Sequence, residues 1–249
     1  MPHGKLHGRT ALITGGSKGL GEAMAVALAK EGASLALVSR DRGKLEAVAA
    51  KAGGNAQVFV GDVSREEEVE RVRHEVAAAF PRVDILINNA GINIRKHLVD
   101  FTVEEWERVQ RTNVTAVFLM CRAFVPLMKG TGYGRILNMT SIMSHVSMPQ
   151  RTAYSTSKAA LLGMTKALAL ELAPDGITVN GISPGPFATE MNLPLTQNPE
   201  LNHQFVSRIP LNRWGKVEEI GQLAVYLCSE DAGFITGTDI LIDGGWCAQ

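Results

Sequence analysis

Thr10-Ala11-Leu12-Ile13-Thr14-Gly15-Gly16-Ser17-Lys18-Gly19-Leu20-Gly21 runs from a short apolar stretch, through a glycine-rich turn, into an alanine-rich segment ending at Lys30. This order reads as strand, turn and helix. Glycines at 15, 19 and 21 let backbone N–H groups close on a pyrophosphate at a helix N-terminus, where the helix dipole favours negative charge. The spacing is G-x3-G-x-G, which departs from the usual dinucleotide pattern G-x-G-x-x-G. No Gly-Lys-Ser/Thr triplet closes it as a P-loop. A plain glycine turn between strand and helix would account for the same residues.

Outward from this turn, further short apolar runs recur along the chain. They are Leu35-Ala36-Leu37-Val38, Val58-Phe59-Val60, Ile85-Leu86-Ile87, Ile136-Leu137-Asn138-Met139, Ile177-Thr178-Val179 and Ile240-Leu241-Ile242. Near-continuous apolar runs suit parallel strands covered on both faces. Helix signals fill the gaps. Thr102 precedes Glu105, and Ser64 precedes Glu67, in capping-box spacing. Ala160, Leu161, Met164, Leu168 and Leu172 recur at helical intervals until Pro174-Asp175-Gly176 stops them. The reading is one α/β domain over residues 1–249, a seven-stranded doubly wound parallel sheet flanked by helices. The one long interruption, 184–210, reads as a lid over a substrate site.

Composition narrows the function classes. In 249 residues, 25 Lys+Arg balance 25 Asp+Glu, which argues against a nucleic-acid partner. Glycine also numbers 25, above the roughly 7% usual in proteins. No run of 18 apolar residues predicts a membrane span, and Met1 to Gly16 lacks the order of a signal peptide. Cys121, Cys228 and Cys247 lie far apart without a CxxC pair, so no disulfide framework and no metal site is expected. The expectation is a cytoplasmic protein acting on a small molecule.

The second strand ends in Val38-Ser39-Arg40-Asp41. An NAD site places a carboxylate there to bind the adenosine ribose. A hydroxyl followed by a guanidinium instead suits a 2′-phosphate, and Lys18 adds positive charge nearby. This favours NADP(H) over NAD(H). The competing reading leaves Arg40 solvated and gives the ribose contact to Asp41.

Tyr154 and Lys158 stand at i and i+4 near the start of a predicted helix and share a face. A phenol ionises near 10, so work as a base at neutral pH needs about 3 units, or ~4 kcal/mol, of preference for phenolate. A nearby ammonium is one source. The same spacing also fits two residues on a solvated face. Ser141 follows the strand 136–139, and Asn88-Asn89-Ala90-Gly91 follows the strand 84–87, both at the sheet edge where ligands bind. Asn113 lies in the helix that begins near Thr102.

Taken together, these residues resemble the classical short-chain dehydrogenase/reductase family over essentially the whole chain. The marks in order are Thr14–Gly21, Asp62-Val63, the Asn-Asn-Ala-Gly of 88–91, Asn113, Ser141, Tyr154 with Lys158, Pro184-Gly185 with Thr189, and Asp243-Gly244-Gly245. The resemblance implies a Rossmann fold and an alcohol–ketone oxidoreductase. It implies that Tyr154 is the general acid/base, that Ser141 binds the reacting oxygen, and that Lys158 binds the nicotinamide ribose and lowers the Tyr154 pKa. Asn113 would hold a water linking Lys158 to solvent. Cofactor contacts would come from Gly15, Ser17, Lys18, Gly19, Leu20, Gly21, Ser39, Arg40, Asp62, Val63, Asn89, Ala90, Gly91, Tyr154, Lys158, Pro184, Gly185, Phe187 and Thr189.

Within the family, Ile92-Asn93-Ile94-Arg95-Lys96-His97, Arg213-Trp214-Gly215 and the ending Asp243-Gly244-Gly245-Trp246 are similar to gluconate 5-dehydrogenases and related sugar-acid enzymes. Arg95 and Arg151 would anchor a carboxylate, and His145 would touch substrate with Ser141 and Tyr154. Solvated surface positions explain either arginine singly. The competing substrates are a 3-oxoacyl-(acyl-carrier-protein) or a general carbonyl compound, the latter with Met143, Met148, Met191 and Leu193 lining an apolar pocket. A cofactor-binding sensor or scaffold without turnover is the non-enzymatic alternative, and retention of Asn113, Ser141, Tyr154 and Lys158 argues against it. Family analogy implies a homotetramer built on helices near 102–128 and 152–173, through Thr115, Ala116, Phe118, Ala159, Leu162 and Gly163.

Overall fold

A computed structural model describes residues 4–189, 192 and 196–249. The central strands are β1 (Thr10–Thr14), β4 (Ile85–Asn88) and β5 (Gly134–Met139), each buried along its full length. To one side lie β2 (Ser34–Ser39) and β3 (Ala56–Val60), and to the other β6 (Ile177–Pro184) and β7 (Asp239–Ile242). The order is β3-β2-β1-β4-β5-β6-β7, and every pairing is parallel. All seven apolar runs read from the sequence are these strands.

Side chains alternate across each strand, so the sheet divides its apolar residues between two cores. Ala11, Ile13, Leu35, Leu37, Ile85 and Ile87 pack on one face. There they meet α1 (Gly19–Lys30) through Met24 and Leu28, and α8 (Val217–Cys228) through Ile220 and Leu227. Leu12, Ala36, Val38, Leu86 and Ile136 pack on the other face. They meet α3 (Glu66–Ala79), α5 (Ala116–Phe124) and α6 (Thr152–Leu172). The helix α2 (Arg42–Ala52) follows β2. Strand order reverses between β1 and β4, so successive crossovers diverge there and leave a crevice at the strand C-termini.

Of the local expectations, one capping box forms and others change. Glu105 N donates to Thr102 Oγ1 and Thr102 N to Glu105 Oε2, both at 3.2 Å, so α4 (Val103–Gln110) has its capping box. Ser64 does not cap α3. The helix starts one residue later, with Arg65 at its N-cap, and the Ser64 hydroxyl donates to Asp62 Oδ1 at 2.7 Å. The expected helix over 102–128 is interrupted by a π-helical turn at Arg111–Thr115, which carries Asn113. The interruption 184–210 contains α7 (Pro199–Val206), capped by Asn198 Oδ1 on the amides of Glu200 and Leu201 at 3.1 Å each. Met191 and Leu193 lie outside the described residues. Ala116, expected on a surface between copies, is 2% exposed and belongs to the core of a single chain.

Candidate active site

The crevice is a cleft of about 1260 Å³ running from the glycine turn to the start of α6. Its floor is set by β1 and β4. Asn89 donates its side-chain amide to the carbonyls of Thr14 and Gly15, each at 3.0 Å. In return Thr14 Oγ1 accepts from the amides of Asn89 at 3.0 Å and Ala90 at 3.1 Å. Gly15 turns with φ +63°, and a Cβ on Gly21 would lie 2.3 Å from the Gly15 carbonyl oxygen. Only glycine lets α1 start so close to the strand. Lys18 at the N-cap makes no side-chain cap, which leaves the first amides of α1 able to meet an anion. The turn fits a dinucleotide pyrophosphate.

Every expected cofactor residue lines the cleft except Gly21, which lies beneath the turn. Ser39 and Arg40 are at one end, Pro184, Gly185, Phe187 and Thr189 at the other, and Asp62, Val63, Ala90 and Gly91 between. Arg42, Lys44 and Phe205 also line it and were not singled out from the sequence, while Asn93 and Trp246 line it and were quoted only within longer stretches. Asn93 follows the Asn-Asn-Ala-Gly motif by two residues. Phe205 on α7 stacks on Trp214 with ring centres 5.0 Å apart and lies 5.2 Å from Trp246. The segment read as a lid therefore contributes an aromatic wall.

Ser141, Tyr154 and Lys158 meet at the middle of the cleft. Met143 N donates to Ser141 Oγ at 3.1 Å, so the serine proton is left for another acceptor. Lys158 is 5% exposed and donates to the Met139 carbonyl at 2.5 Å, with Nζ 5.8 Å from the Tyr154 ring centre. Burial lowers its ammonium to about 8. Burial also pushes the Tyr154 phenol above its usual value, opposed by the Ser141 hydroxyl and then by the Arg151 and Arg95 guanidiniums. Two arginines thus join the Lys158 ammonium, 5.8 Å from the ring centre, as cations near the phenol.

Asn113 is fully buried and bonds to protein. Its Nδ2 donates to the Ile92 carbonyl and to Ser157 Oγ at 2.9 Å, and Ile92 N donates to its Oδ1 at 2.8 Å. Ser157 in turn donates to the Tyr154 carbonyl at 2.7 Å. The π-turn thereby ties the chain after Gly91 to the helix of Tyr154 and Lys158.

Arg95 and Arg151 both face the cleft, and neither is paired with a carboxylate among the described residues. Arg151 Nη1 is buried without a hydrogen-bond partner, and so is Asn93 Oδ1. An unmet cationic donor and an unmet acceptor among the residues lining one cleft are costly in isolation, and a bound ligand would satisfy them. His145, expected to touch substrate, does not line the cleft. Its Nε2 lies 2.6 Å from Asp239 Oδ2, because that carboxylate is the stronger partner within reach.

The profile of the family described as Enoyl-(Acyl carrier protein) reductase matches residues 15–247. D-beta-hydroxybutyrate dehydrogenase of Rhizobium meliloti is 36% identical, over 97% of this chain and 99% of its own. A 3-oxoacyl-(acyl-carrier-protein) reductase of Haemophilus influenzae is 35% identical, over 96% and 98%. Among solved structures, a gluconate 5-dehydrogenase from Burkholderia cenocepacia in complex with NADP and tartrate superposes with a TM-score of 0.93. It is 33% identical and covers 98% of this chain and 97% of its own.

Replacing Arg151 by Met removes a positive charge that favours phenolate. The Tyr154 resonance in a ¹³C-tyrosine titration should then move to higher pH than in the native protein, and an unchanged midpoint would detach the guanidinium from the phenol.

Proposed function

Since the chain belongs to the short-chain dehydrogenase/reductase family and is an oxidoreductase with a nicotinamide cofactor, we propose that it interconverts a hydroxy acid of sugar-acid type and its oxo acid. One observation carries the substrate class: the unpaired Arg95 and Arg151 beside Tyr154, with the unmet Asn93 Oδ1 near them. A carboxylate meets the first two, and a neighbouring hydroxyl donates to the third. The names of two relatives support it, since hydroxybutyrate and gluconate are both hydroxy acids. A carrier-bound thioester would leave the guanidiniums unmatched.

In this reading Tyr154 exchanges the proton with the oxygen on the reacting carbon, and the Ser141 hydroxyl donates to that oxygen as charge develops. The arginines hold the carboxylate and favour phenolate at Tyr154. Lys158, cationic below about 8, faces the cofactor ribose, and Asn113 fixes the loop and helix that meet there. The nicotinamide, when bound, takes or supplies the hydride. Phe205, within the segment read as a lid, covers the substrate, and Trp246 completes that wall.

The reading takes NADP(H) in preference to NAD(H). Asp41, the competing ribose acceptor, caps α2 by accepting from Lys44 N at 3.1 Å and pairs with Lys44 Nζ at 3.5 Å. Arg40 is 71% exposed and 3.8 Å from Asp62, so it is free to turn toward a 2′-phosphate flanked by Arg42 and Lys44. Self-association as a tetramer fits Phe118 on α5 and Leu170 on α6, which are 48% and 81% exposed.

A panel of hydroxy acids, neutral polyols and acyl thioesters tests the substrate class by kcat/KM. Hydroxy acids should lead, and a thioester in first place would overturn the proposal. Arg95→Met should raise KM for the acid roughly ten- to a hundredfold, the cost of one charged hydrogen bond, and an unchanged KM would remove the carboxylate contact. Tyr154→Phe should abolish turnover while NADPH still binds, and residual turnover near native would remove the acid/base role. Arg40→Ala should weaken NADPH about tenfold more than NADH in fluorescence titrations, and equal losses would speak against a 2′-phosphate contact.

A further inference from the structure

Ser141 is bracketed by two residues that bond to one carboxylate. Thr140, just before it, approaches Asp239 Oδ1 with its hydroxyl at 2.6 Å. His145, at the end of the short turn that Ser141 opens, reaches Asp239 Oδ2 through Nε2 at 2.6 Å. Ser183 on β6 reaches the same Oδ2 at 2.5 Å. The Asp239 side chain is 10% exposed, and Thr140 and Ser183 are 2% and 0% exposed.

Proton counting assigns the donors. Thr140 Oγ1 also lies 2.7 Å from the Ile182 carbonyl, and Ser183 Oγ 3.0 Å from the Ser141 carbonyl. Both carbonyls already accept backbone amides, from Thr140 N at 2.9 Å and Ser144 N at 2.8 Å. Each hydroxyl has one proton, and the carboxylate is the stronger acceptor. Asp239 therefore collects three donors: two hydroxyls and the His145 Nε2–H.

Asp239 reaches β5 only by crossing β6. Its partner in the sheet is Gly181, where a Cβ would lie 1.9 Å from Asp239 Oδ1. The missing side chain at 181 and the carboxylate at 239 are two halves of one arrangement. Its effect falls on the turn 141–145, whose two ends it pins to the edge strand β7.

We propose that Asp239 is a positioning residue for Ser141. It holds the turn so that the Ser141 hydroxyl and the Tyr154 phenol address one substrate oxygen. This rests on the role given to Ser141 above. Gly181 is its steric complement, and His145 serves it as a clamp with no contact to substrate.

Asp239→Asn keeps the shape but cannot accept three donors. It should lower kcat by roughly 100-fold, the effect of about 1 Å of misplacement, with KM and NADPH affinity within about twofold of native. Gly181→Ala, which displaces the carboxylate while leaving it present, should reproduce that split. Native kcat in Asp239→Asn, or a loss shared equally with KM or cofactor affinity, would overturn the proposal.

A measurement on the native protein stands apart from both activity and variant folding. Long-range ¹H–¹⁵N spectra should show His145 as the Nε2–H tautomer with a proton protected from exchange. The Nδ1–H tautomer, or an unprotected proton, would refute the clamp even if no substrate were turned over. Failure of the whole substrate panel with this signal present would instead count against the proposed reaction alone.

Discussion

The carboxamide of Asn89 spans the gap between β4 and the glycine turn, donating to the carbonyls of Thr14 and Gly15. The rest of the cleft depends on that bridge. At this point the strand order reverses and no backbone ladder continues past the strand ends, so a side chain must hold the two loops together. The bridge sets how far the Gly15 carbonyl leans over α1, and that lean excludes any Cβ at Gly21. From the same motif, Gly91 and Ile92 run on to Asn113, and Asn113 reaches Ser157. One chain of amide bonds thus connects the phosphate turn to the helix bearing Tyr154 and Lys158.

Charge is distributed against the neutral total. The cleft gathers Lys18, Arg40, Arg42, Lys44, Arg95, Arg151 and Lys158, while among the described residues Asp41 and Asp62 are its carboxylates. Burial works on these groups in opposite senses. It lowers the Lys158 ammonium, and it raises the Tyr154 phenol that the arginines pull down. A site for two anionic partners, a dinucleotide and an acid, would use such a concentration of positive charge. Elsewhere several acidic side chains occupy surface pairs, such as Arg65 with Glu67 and Arg71 with Glu75, which matter little to stability.

The strands and the glycine turn were legible because their signals are local. Leu12 and Ile13 read as buried without knowing their neighbours, since a parallel strand covered on both faces has no polar side. Tyr154 and Lys158 share a face by helical spacing, and the family resemblance singled out the pair, while Asn198-Pro199 starts a helix inside the segment read as a lid. Ser64 misled because a capping hydroxyl and a hydroxyl donating to Asp62 have the same sequence. Arg151 and Asn93 were visible as residues, but their lack of partners was not.

By itself, the sequence determined the alternation of strands and helices, the phosphate turn and the order of the chemical groups along the chain. Those follow from periodicity and backbone preference within a few residues. Tertiary structure alone decided which polar groups are satisfied. His145 and Asp239 are 94 positions apart, and only folding brings the imidazole to a carboxylate and away from the cleft. The same holds for the electrostatics of Tyr154, set by burial and by guanidiniums from a separate loop and from the residue before α6. Hydrogen bonds and desolvation act over a few ångströms of space, whatever the distance along the chain.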